Sequence, residues 1–267
     1  MLLRGLASAS NGMQALIDRN DSIANNIANV NTVGFKKENM VFKNIYDSAV
    51  VEKSADTDEA KTLGELSIGS QVEKLTYDFS QGALSRTGGT FDLAIEGDGF
   101  FKIKNNNGEV SYTRNGSFTL NNGGYLVTKD GDFVLDDQSQ KIRIGLDGLK
   151  MHSLNDLIIG EKGKIQVNNE KNQVNMQTVG VFDFSNKEDM TAIGGAKFKP
   201  TDIATNKELK AEKFTIQQGA LEMSNSNVVQ EMINSINTSR NYEALSKMVK
   251  MGSQTISNAL QLGRIRG

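Results

Sequence analysis

Both ends of the chain carry apolar side chains at the alternating four- and three-residue spacing with which a helix presents one stripe to a partner helix. The N-terminal stripe consists of Leu2, Leu6, Ala9, Met13, Leu16, Asn20, Ile23, Ile27 and Val30. The C-terminal stripe, in which large and small residues alternate, consists of Val228, Met232, Ser235, Ser239, Tyr242, Ser246, Val249, Ser253, Ile256 and Leu260. The pattern predicts a helix at each end with one face suited to packing against another helix.

The C-terminal helix is long for a chain of this size. A helix of ~40 residues would be ~60 Å long, whereas a compact globule of 267 residues has a radius of gyration of about 18 Å. We therefore expect a subunit that assembles through its ends; the alternative is an intramolecular antiparallel helix pair without an assembly role. The predicted assembly interface comprises Leu2, Leu6, Met13, Leu16, Ile23, Ile27, Val30, Val228, Met232, Tyr242, Val249, Ile256 and Leu260.

The middle of the chain changes to short β-like runs separated by turns. Asn-Gly and Asp-Gly pairs, which favour type I′ hairpin turns, punctuate it at Asp98-Gly99, Asn107-Gly108, Asn115-Gly116, Asn122-Gly123, Asp130-Gly131 and Asp147-Gly148. Such close turn spacing predicts a locally connected antiparallel sheet or barrel. The predicted fold class is α+β, with long terminal helices forming a coiled-coil-like core and a mainly antiparallel β domain.

The expected domain division follows from these changes of pattern. Residues 1–45 and 220–267 form a helical axial core, 46–70 an extended connector arm, and 71–219 a β-rich outer domain. The stretch from Val51 to Glu65 is polar and charged, and we expect either a contact arm between subunits or an ordinary solvated linker.

Composition excludes several classes of partner. The formal net charge is −2 and no long basic block occurs, so nucleic acid is not an expected partner. No apolar run approaches the ~20 residues of a membrane span, and the N-terminus lacks the apolar block of a cleaved secretory signal. The chain has no cysteine, so its stability does not depend on the redox state of its compartment.

No catalytic, cofactor-binding or metal-ligating residue is predicted. His152 is the only histidine and lacks a recognisable catalytic setting. The glycine-rich segment Glu96–Phe100 lies between expected strands and lacks the residues of a phosphate-binding loop. Asp130-Gly131-Asp132 does not fit the spacing of a calcium loop. Carboxylates are plentiful, so a secreted glycan-active enzyme stays open as an alternative, as does an adhesin.

Several segments resemble flagellar basal-body rod and hook proteins. The first is Asn25–Thr32 followed by Gly34-Phe35-Lys36. Further matching segments are Asp92–Phe101, Tyr112–Phe118 continuing to Gly124–Thr128, Gln218–Glu222 with Ser226–Val228, and Glu231–Glu243. The residues that carry the motif most clearly are Asn25, Asn26, Asn29, Asn31, Thr32, Gly34, Phe35, Gly97, Asp98, Gly99 and Phe100.

The resemblance implies a structural subunit of the bacterial flagellar rod, not an enzyme and without a cofactor. Its terminal helices would form the inner core of a hollow shaft in the periplasm, with the β domain outside. Its partners would be copies of itself, other rod subunits and the flagellar export apparatus, and it would be exported without a cleaved signal. The segment from Asp78 to Gly88 resembles the proximal rod subunit, with a distal rod or hook-type subunit as the alternative.

Overall fold

Two terminal helices flank a β-rich middle, so the fold is α+β as expected. The computed structural model describes residues 2–53, 60–144, 157–169, 172–202 and 206–265. The chain divides into two units. The helical unit comprises Met1–Ile27, Glu38–Leu75 and Val228–Gly267, and the β unit comprises Ala28–Lys37 and Thr76–Asn227.

The helical unit contains α1, Leu2–Ala28, and α2, Val228–Ile265. The 38 residues of α2 give a length of about 57 Å. The two helices pack antiparallel: Leu6 lies against Gly252, Leu245 lies over Gly12, and Ser235 Oγ donates to Asn20 Oδ1 at 3.1 Å. The glycines let the helices approach closely, and the polar pair accounts for Asn20 within an otherwise apolar stripe.

The face of α2 that meets α1 differs from the predicted stripe at alternate turns. The contacts fall on Leu245 and Gly252, one residue before the predicted Ser246 and Ser253, which are exposed. Burial of a leucine side chain stabilises the folded state, whereas burial of a serine hydroxyl contributes little stability unless the hydroxyl finds a hydrogen-bond partner. Apolar burial therefore decides the rotation of α2 about its axis.

The predicted connector arm of residues 46–70 falls on a two-stranded sheet of β1, Glu38–Lys53, and β2, Ala60–Tyr77. Residues 54–59 of the arm lie outside the described part of the chain. An ion pair of 3.6 Å joins Lys43 to Glu73 across the sheet. Because a sheet of two strands leaves both faces open, its strands lack the apolar alternation by which a half-buried strand is recognised.

The β unit is built from short antiparallel strands, and every strand pair among its described residues is antiparallel, as expected. The strands are β3 Leu84–Arg86, β4 Leu93–Gly97, β5 Phe100–Lys104, β6 Val110–Thr113, β7 Phe118–Leu120, β8 Leu126–Thr128, β9 Phe133–Val134, β10 Leu157–Ile159, β11 Lys164–Asn169, β12 Asn172–Thr178, β13 Val181–Phe184, β14 Met190–Gly194, β15 Lys197–Pro200, β16 Glu208–Lys210, β17 Phe214–Gln218 and β18 Ala220–Glu222. A 3-10 helix, Lys187–Asp189, precedes β14.

The largest sheet of the β unit has the order β14-β15-β6-β5-β9-β8-β7, and β13 joins it by pairing with β5 and β16. Smaller sheets are β10-β11-β12, β17-β4 and β18-β3. Side chains from these sheets form two core clusters. One is mainly aliphatic and includes Leu93, Ile103 and Ile216, and the other is aromatic and includes Phe100 and Phe198.

The expected type I′ turns do not form at the five Asn-Gly and Asp-Gly pairs in the described part of the chain, so that prediction is wrong there; Asp147-Gly148 lies outside it. Type I′ requires positive φ at two successive residues, yet among the described residues only Ser139 and Ala196 are non-glycines with positive φ. Instead, the loops of three pairs, Asn107-Gly108, Asn122-Gly123 and Asp130-Gly131, share a longer form with a fourth loop that lacks such a pair. The first residue of each of these four loops accepts the N–H three positions on through its carbonyl and the N–H four positions on through its side chain. Such loops begin at Asn105, Asn121, Thr128 and Asp136. The side-chain bond of the first residue favours this longer loop.

The glycines of two X-Gly pairs should differ sharply in their tolerance of alanine. A β-carbon at Gly116 would overlap the carbonyl oxygen of Leu93, whereas Gly131 has open space but a φ of 87°. Gly116→Ala should lower the free energy of unfolding by at least about 4 kcal/mol, and Gly131→Ala by about 1 to 2 kcal/mol. Urea denaturation followed by circular dichroism measures both. Equal losses would contradict the steric argument.

Candidate functional site

A cluster of buried charges lies where segments distant in sequence meet in the β unit. The carboxylate of Glu222 accepts from Lys36 Nζ at 2.6 Å, from the Gly82 N–H at 2.9 Å and from Arg114 Nη1 at 3.2 Å. The side chains of Lys36 and Glu222 are 0% exposed, and that of Arg114 is 2% exposed. We call Lys36, Arg114 and Glu222 the buried charge cluster.

Two further hydrogen bonds of the buried charge cluster end on backbone oxygens, whereas Arg114 Nε is buried without a hydrogen-bond partner. Lys36 Nζ also donates to the Ser80 carbonyl at 2.7 Å, and Arg114 Nη2 donates to the Gly97 carbonyl at 2.9 Å. The Arg114 guanidinium lies 5.3 Å from the centroid of the Phe100 ring. Burial lowers the pKa of Lys36, and the adjacent Glu222 carboxylate opposes that shift. The cluster therefore joins residues of four resembling segments: 34–36, 92–101, 112–118 and 218–222.

The turn after α1 delivers Lys36 to this cluster. Gly34 has a φ of 69°, and its N–H donates to the Glu222 carbonyl at 2.8 Å. A β-carbon at Gly34 would overlap the backbone at Arg114 and Asn115, so the close approach of these two segments requires glycine. At the other side of the cluster, β18 ends at Glu222 and pairs with β3.

Other motif residues also hold backbone segments in place. Asn26 is buried, donates to the Glu38 carbonyl at 3.0 Å and accepts its N–H at 2.8 Å, so it closes the loop between them. Thr32 Oγ1 donates to Asn29 Oδ1 at 3.1 Å. Asn25 and Phe35 are half-buried, and Asn31 is exposed. These residues fix local geometry rather than form a chemical centre.

The glycine-rich segment is a tight turn between β4 and β5, as expected. Gly97 and Gly99 have φ of 102° and 116°, and Phe100 packs in the aromatic cluster. Asp98 accepts from Lys187 Nζ at 2.6 Å, and this hydrogen bond lowers the pKa of the Asp98 carboxyl.

The predicted assembly residues of α1 and α2 fall into three groups. Ile23 is buried; Met232 and Tyr242 are exposed, at 51% and 39%. The half-buried members are Leu6, Met13, Leu16, Ile27, Val30, Val228, Val249 and Ile256. The side chains of Leu2 and Leu260 lie outside the described residues. Leu16 and Tyr242 line one groove of about 400 Å³ between the two helices.

A second apolar face of α2 lies off the predicted stripe. Val229, Ile233 and Ile236 are 66%, 46% and 52% exposed, and Met248 and Met251 are exposed further along the helix. With the exposed Met232 we call these six residues the outer face of α2. Because most of them occupy other positions than the heptad pattern, stripe analysis did not find them. The sequence feature that could have revealed them is the high apolar content at the start of α2.

The charged groups that could suggest chemistry are paired with other side chains. Asp130 and Asp132 both bind Lys197 Nζ, at 2.8 and 2.6 Å. No group of three or more His, Asp or Glu among the described residues is placed to hold a metal, and His152 lies outside that part of the chain. Neither terminal helix has, over its described residues, an apolar stretch long enough to cross a bilayer.

Comparison with known proteins identifies the chain. Family models match in three places: "Flagella basal body rod protein" over residues 6–36, "Flagellar hook protein FlgE/F/G D1 domain" over 94–181, and "Flagellar basal body rod FlgEFG protein C-terminal" over 217–262. The chain is 32% identical to the basal-body rod protein FlgG of Bacillus subtilis, covering 98% of this chain and 100% of the relative. FlgG of Borreliella burgdorferi is 31% identical over the same shares. FlgF of Caulobacter vibrioides is 32% identical over 92% of each chain.

The fold, the scaffold role of its motif residues and these matches define a structural, non-enzymatic subunit of the bacterial flagellum. The chain belongs to the flagellar basal-body rod protein family. These matches confirm the resemblance to rod proteins, which assemble with other rod components, and the enzyme and adhesin alternatives are not favoured.

The buried charge cluster predicts that substitution of Glu222 lowers the free energy of unfolding by an unusually large amount. Glu222→Gln keeps the shape but leaves the buried Lys36 and Arg114 without a counter-charge, so it should lower the free energy of unfolding by about 3 to 5 kcal/mol. The control is Asp137→Asn, because Asp137 also binds a lysine of the β unit, Lys210, but the two side chains are 43% and 62% exposed. That variant should lose about 1 kcal/mol or less. Similar losses in the two variants, measured by urea denaturation, would contradict this account.

Proposed function

We propose that this rod subunit polymerises through α1 and α2, which form the coiled-coil-like inner core of a hollow drive shaft. The shaft transmits torque and conducts exported subunits, with the β unit outside. The observation that carries the proposal is the outer face of α2, which stays exposed although another face of the same helix already packs on α1. A helix with two apolar faces needs two partners.

The magnitude of apolar burial is sufficient to drive such assembly. If assembly removed ~1000 Å² of apolar surface per subunit from water, the gross gain would be ~25 kcal/mol at ~25 cal/mol per Å². Association and side-chain ordering consume part of that gain. The groove between α1 and α2, lined by Leu16, Ile17 and Tyr242, offers a further apolar surface to a neighbouring subunit.

The described residues of the segment from Val51 to Glu65, for which a contact arm or a solvated linker is expected, belong to the two-stranded sheet of β1 and β2, and we propose that this whole sheet is a contact arm between subunits. Val41, Phe42 and Leu75 are exposed there, at 42%, 38% and 43%. Apolar side chains on a thin sheet with two open faces find few partners within their own chain. This supports the contact arm over the solvated linker.

The route and location of the subunit belong to the same proposal. We propose that it reaches the periplasmic part of the rod through the flagellar export apparatus, without a cleaved signal. The absence of cysteine supports this, because a chain without cysteine can move from a reducing to an oxidising compartment and refold there without forming disulfides.

Within the rod, we propose the proximal position, which the segment from Asp78 to Gly88 favours. Expression of this chain in a bacterial strain from which the gene for FlgF has been deleted should therefore restore swimming. The same chain should not restore a strain that lacks FlgG, the distal subunit. Rescue of only the FlgG-deficient strain, scored in soft agar, would place the subunit at the distal position instead.

Assembly through the outer face of α2 predicts a specific loss of incorporation. Met232 is a predicted interface residue and is already exposed, so Met232→Asp should leave the β unit folded and prevent incorporation into rods. The control is Asn237→Asp, which adds the same charge at an exposed polar position of α2. Basal bodies isolated from each strain report incorporation, and circular dichroism reports folding. Normal incorporation of Met232→Asp would count against this interface.

A further inference from the structure

The chain passes between its two units at several points, and three of them lie close to one ring of hydrogen bonds inside the β unit. The units change at 37/38, 75/76 and 227/228. Lys37, Asp78 and Asn225 lie within three residues of these points, each on its own segment. They are bonded to one another.

The ring closes through the side-chain amide of Asn225. Its Oδ1 accepts the Lys37 N–H at 2.8 Å, and its Nδ2 donates to the Asp78 carbonyl at 2.7 Å. The Asp78 N–H completes the ring by donating to the Lys37 carbonyl at 2.9 Å. Nδ2 also lies 3.2 Å from the Ser80 carbonyl and 3.0 Å from Ser80 Oγ. We call this ring of Lys37, Asp78 and Asn225 the Asn225 clamp.

The side chain at position 225 must both donate and accept at short reach. An aspartate would keep the acceptor for Lys37 and lose the donor for Asp78, and alanine would lose both. Asn225 bridges segments that are 188 and 147 residues away in sequence. Local secondary structure does not supply these bonds, because neither partner belongs to the same element.

The buried charge cluster supports the clamp from behind. Lys36 precedes Lys37 and donates to the Ser80 carbonyl, which Asn225 also approaches. Glu222 lies three residues before Asn225 and binds Lys36. Each of the three segments is thus held twice, once by the buried cluster and once by the clamp near its exit from the β unit.

We propose that Asn225 is a positioning residue that fixes the three segments where they leave the β unit, so that a load carried by any one of them is shared with the other two. The transmission of torque rests on the proposed function, whereas the ring itself can be tested on the purified chain. Two bonds of the ring end on the Asn225 amide, and the third joins the backbones of Lys37 and Asp78, which lie next to the paired strands β1 and β2.

Hydrogen exchange of the purified full-length chain tests the ring. In Asn225→Ala, the Lys37 amide loses its acceptor and should exchange at least about 10-fold faster, while core amides such as Phe101 and Ile103 keep their protection. In Asn225→Asp, the Lys37 amide should stay protected, because aspartate keeps the oxygen that accepts its N–H.

The matched control is Asn121→Ala. Like Asn225, Asn121 binds the backbone twice through its side chain, but it accepts both bonds, from the N–H groups of Gly123 and Tyr125, in a hairpin loop of the β unit. This variant should leave exchange at Lys37 and Asp78 unchanged. Unchanged exchange in Asn225→Ala would overturn the clamp, and so would faster exchange spread evenly over the β unit, which would indicate only general stabilisation.

A second measurement addresses torque. Cells carrying Asn225→Ala should incorporate the subunit into rods and swim normally in dilute medium, but slow more than wild-type cells as viscosity rises. Equal slowing would overturn the role in torque. If the wild-type chain itself were absent from rods, the proposed function would fail while the exchange result would still decide the clamp.

Discussion

One buried carboxylate organises the β unit. Glu222 has no access to water, so its charge must be compensated by donors from the protein. The donors come from the turn after α1, from the segment after β2 and from the end of β6. Any other register of these segments would leave a charge buried without a partner. Buried ion pairs contribute little net stability compared with apolar packing, but losing one partner is costly, so the cluster acts mainly by excluding alternative arrangements.

This constraint explains why the resembling segments are scattered along the sequence. Residues 34–36, 97–100, 112–118 and 218–222 have little in common as patterns, yet Lys36, Gly97, Arg114 and Glu222 meet at one point. Gly34 belongs to the same constraint, because only glycine allows the turn after α1 to lie against Arg114 and Asn115. These four resembling segments therefore share one structural role, which is to form the buried charge cluster.

Features of the fold that depend on near neighbours could be predicted from the sequence. Both helices and the antiparallel, turn-rich β unit follow from short-range patterns. The face of α2 that packs on α1 was misplaced at Leu245 and Gly252, because a stripe of serines fits the same spacing and only the partner helix decides between them. The type of hairpin loop was missed because the side chains of Asn105 and Asn121 stabilise a longer loop than the Asn-Gly pairs suggest. The contacts of Asn225 and Glu222 could not be predicted, since contacts between residues far apart in the chain leave no periodic pattern in the sequence.

The contact between Lys36 and Glu222 spans 186 residues, and this separation orders the events of folding. Hairpins such as β7-β8 can form as soon as their own residues are present. The buried charge cluster forms only when both ends of the β unit are present, and its formation costs the entropy of closing a very long loop. A chain delivered through a narrow passage from its N-terminus would hold a lysine and an arginine without their shared acid until nearly all of it had emerged. The last strand of the β unit, β18, therefore supplies the carboxylate that completes the buried charge cluster, after every other segment of the cluster in chain order.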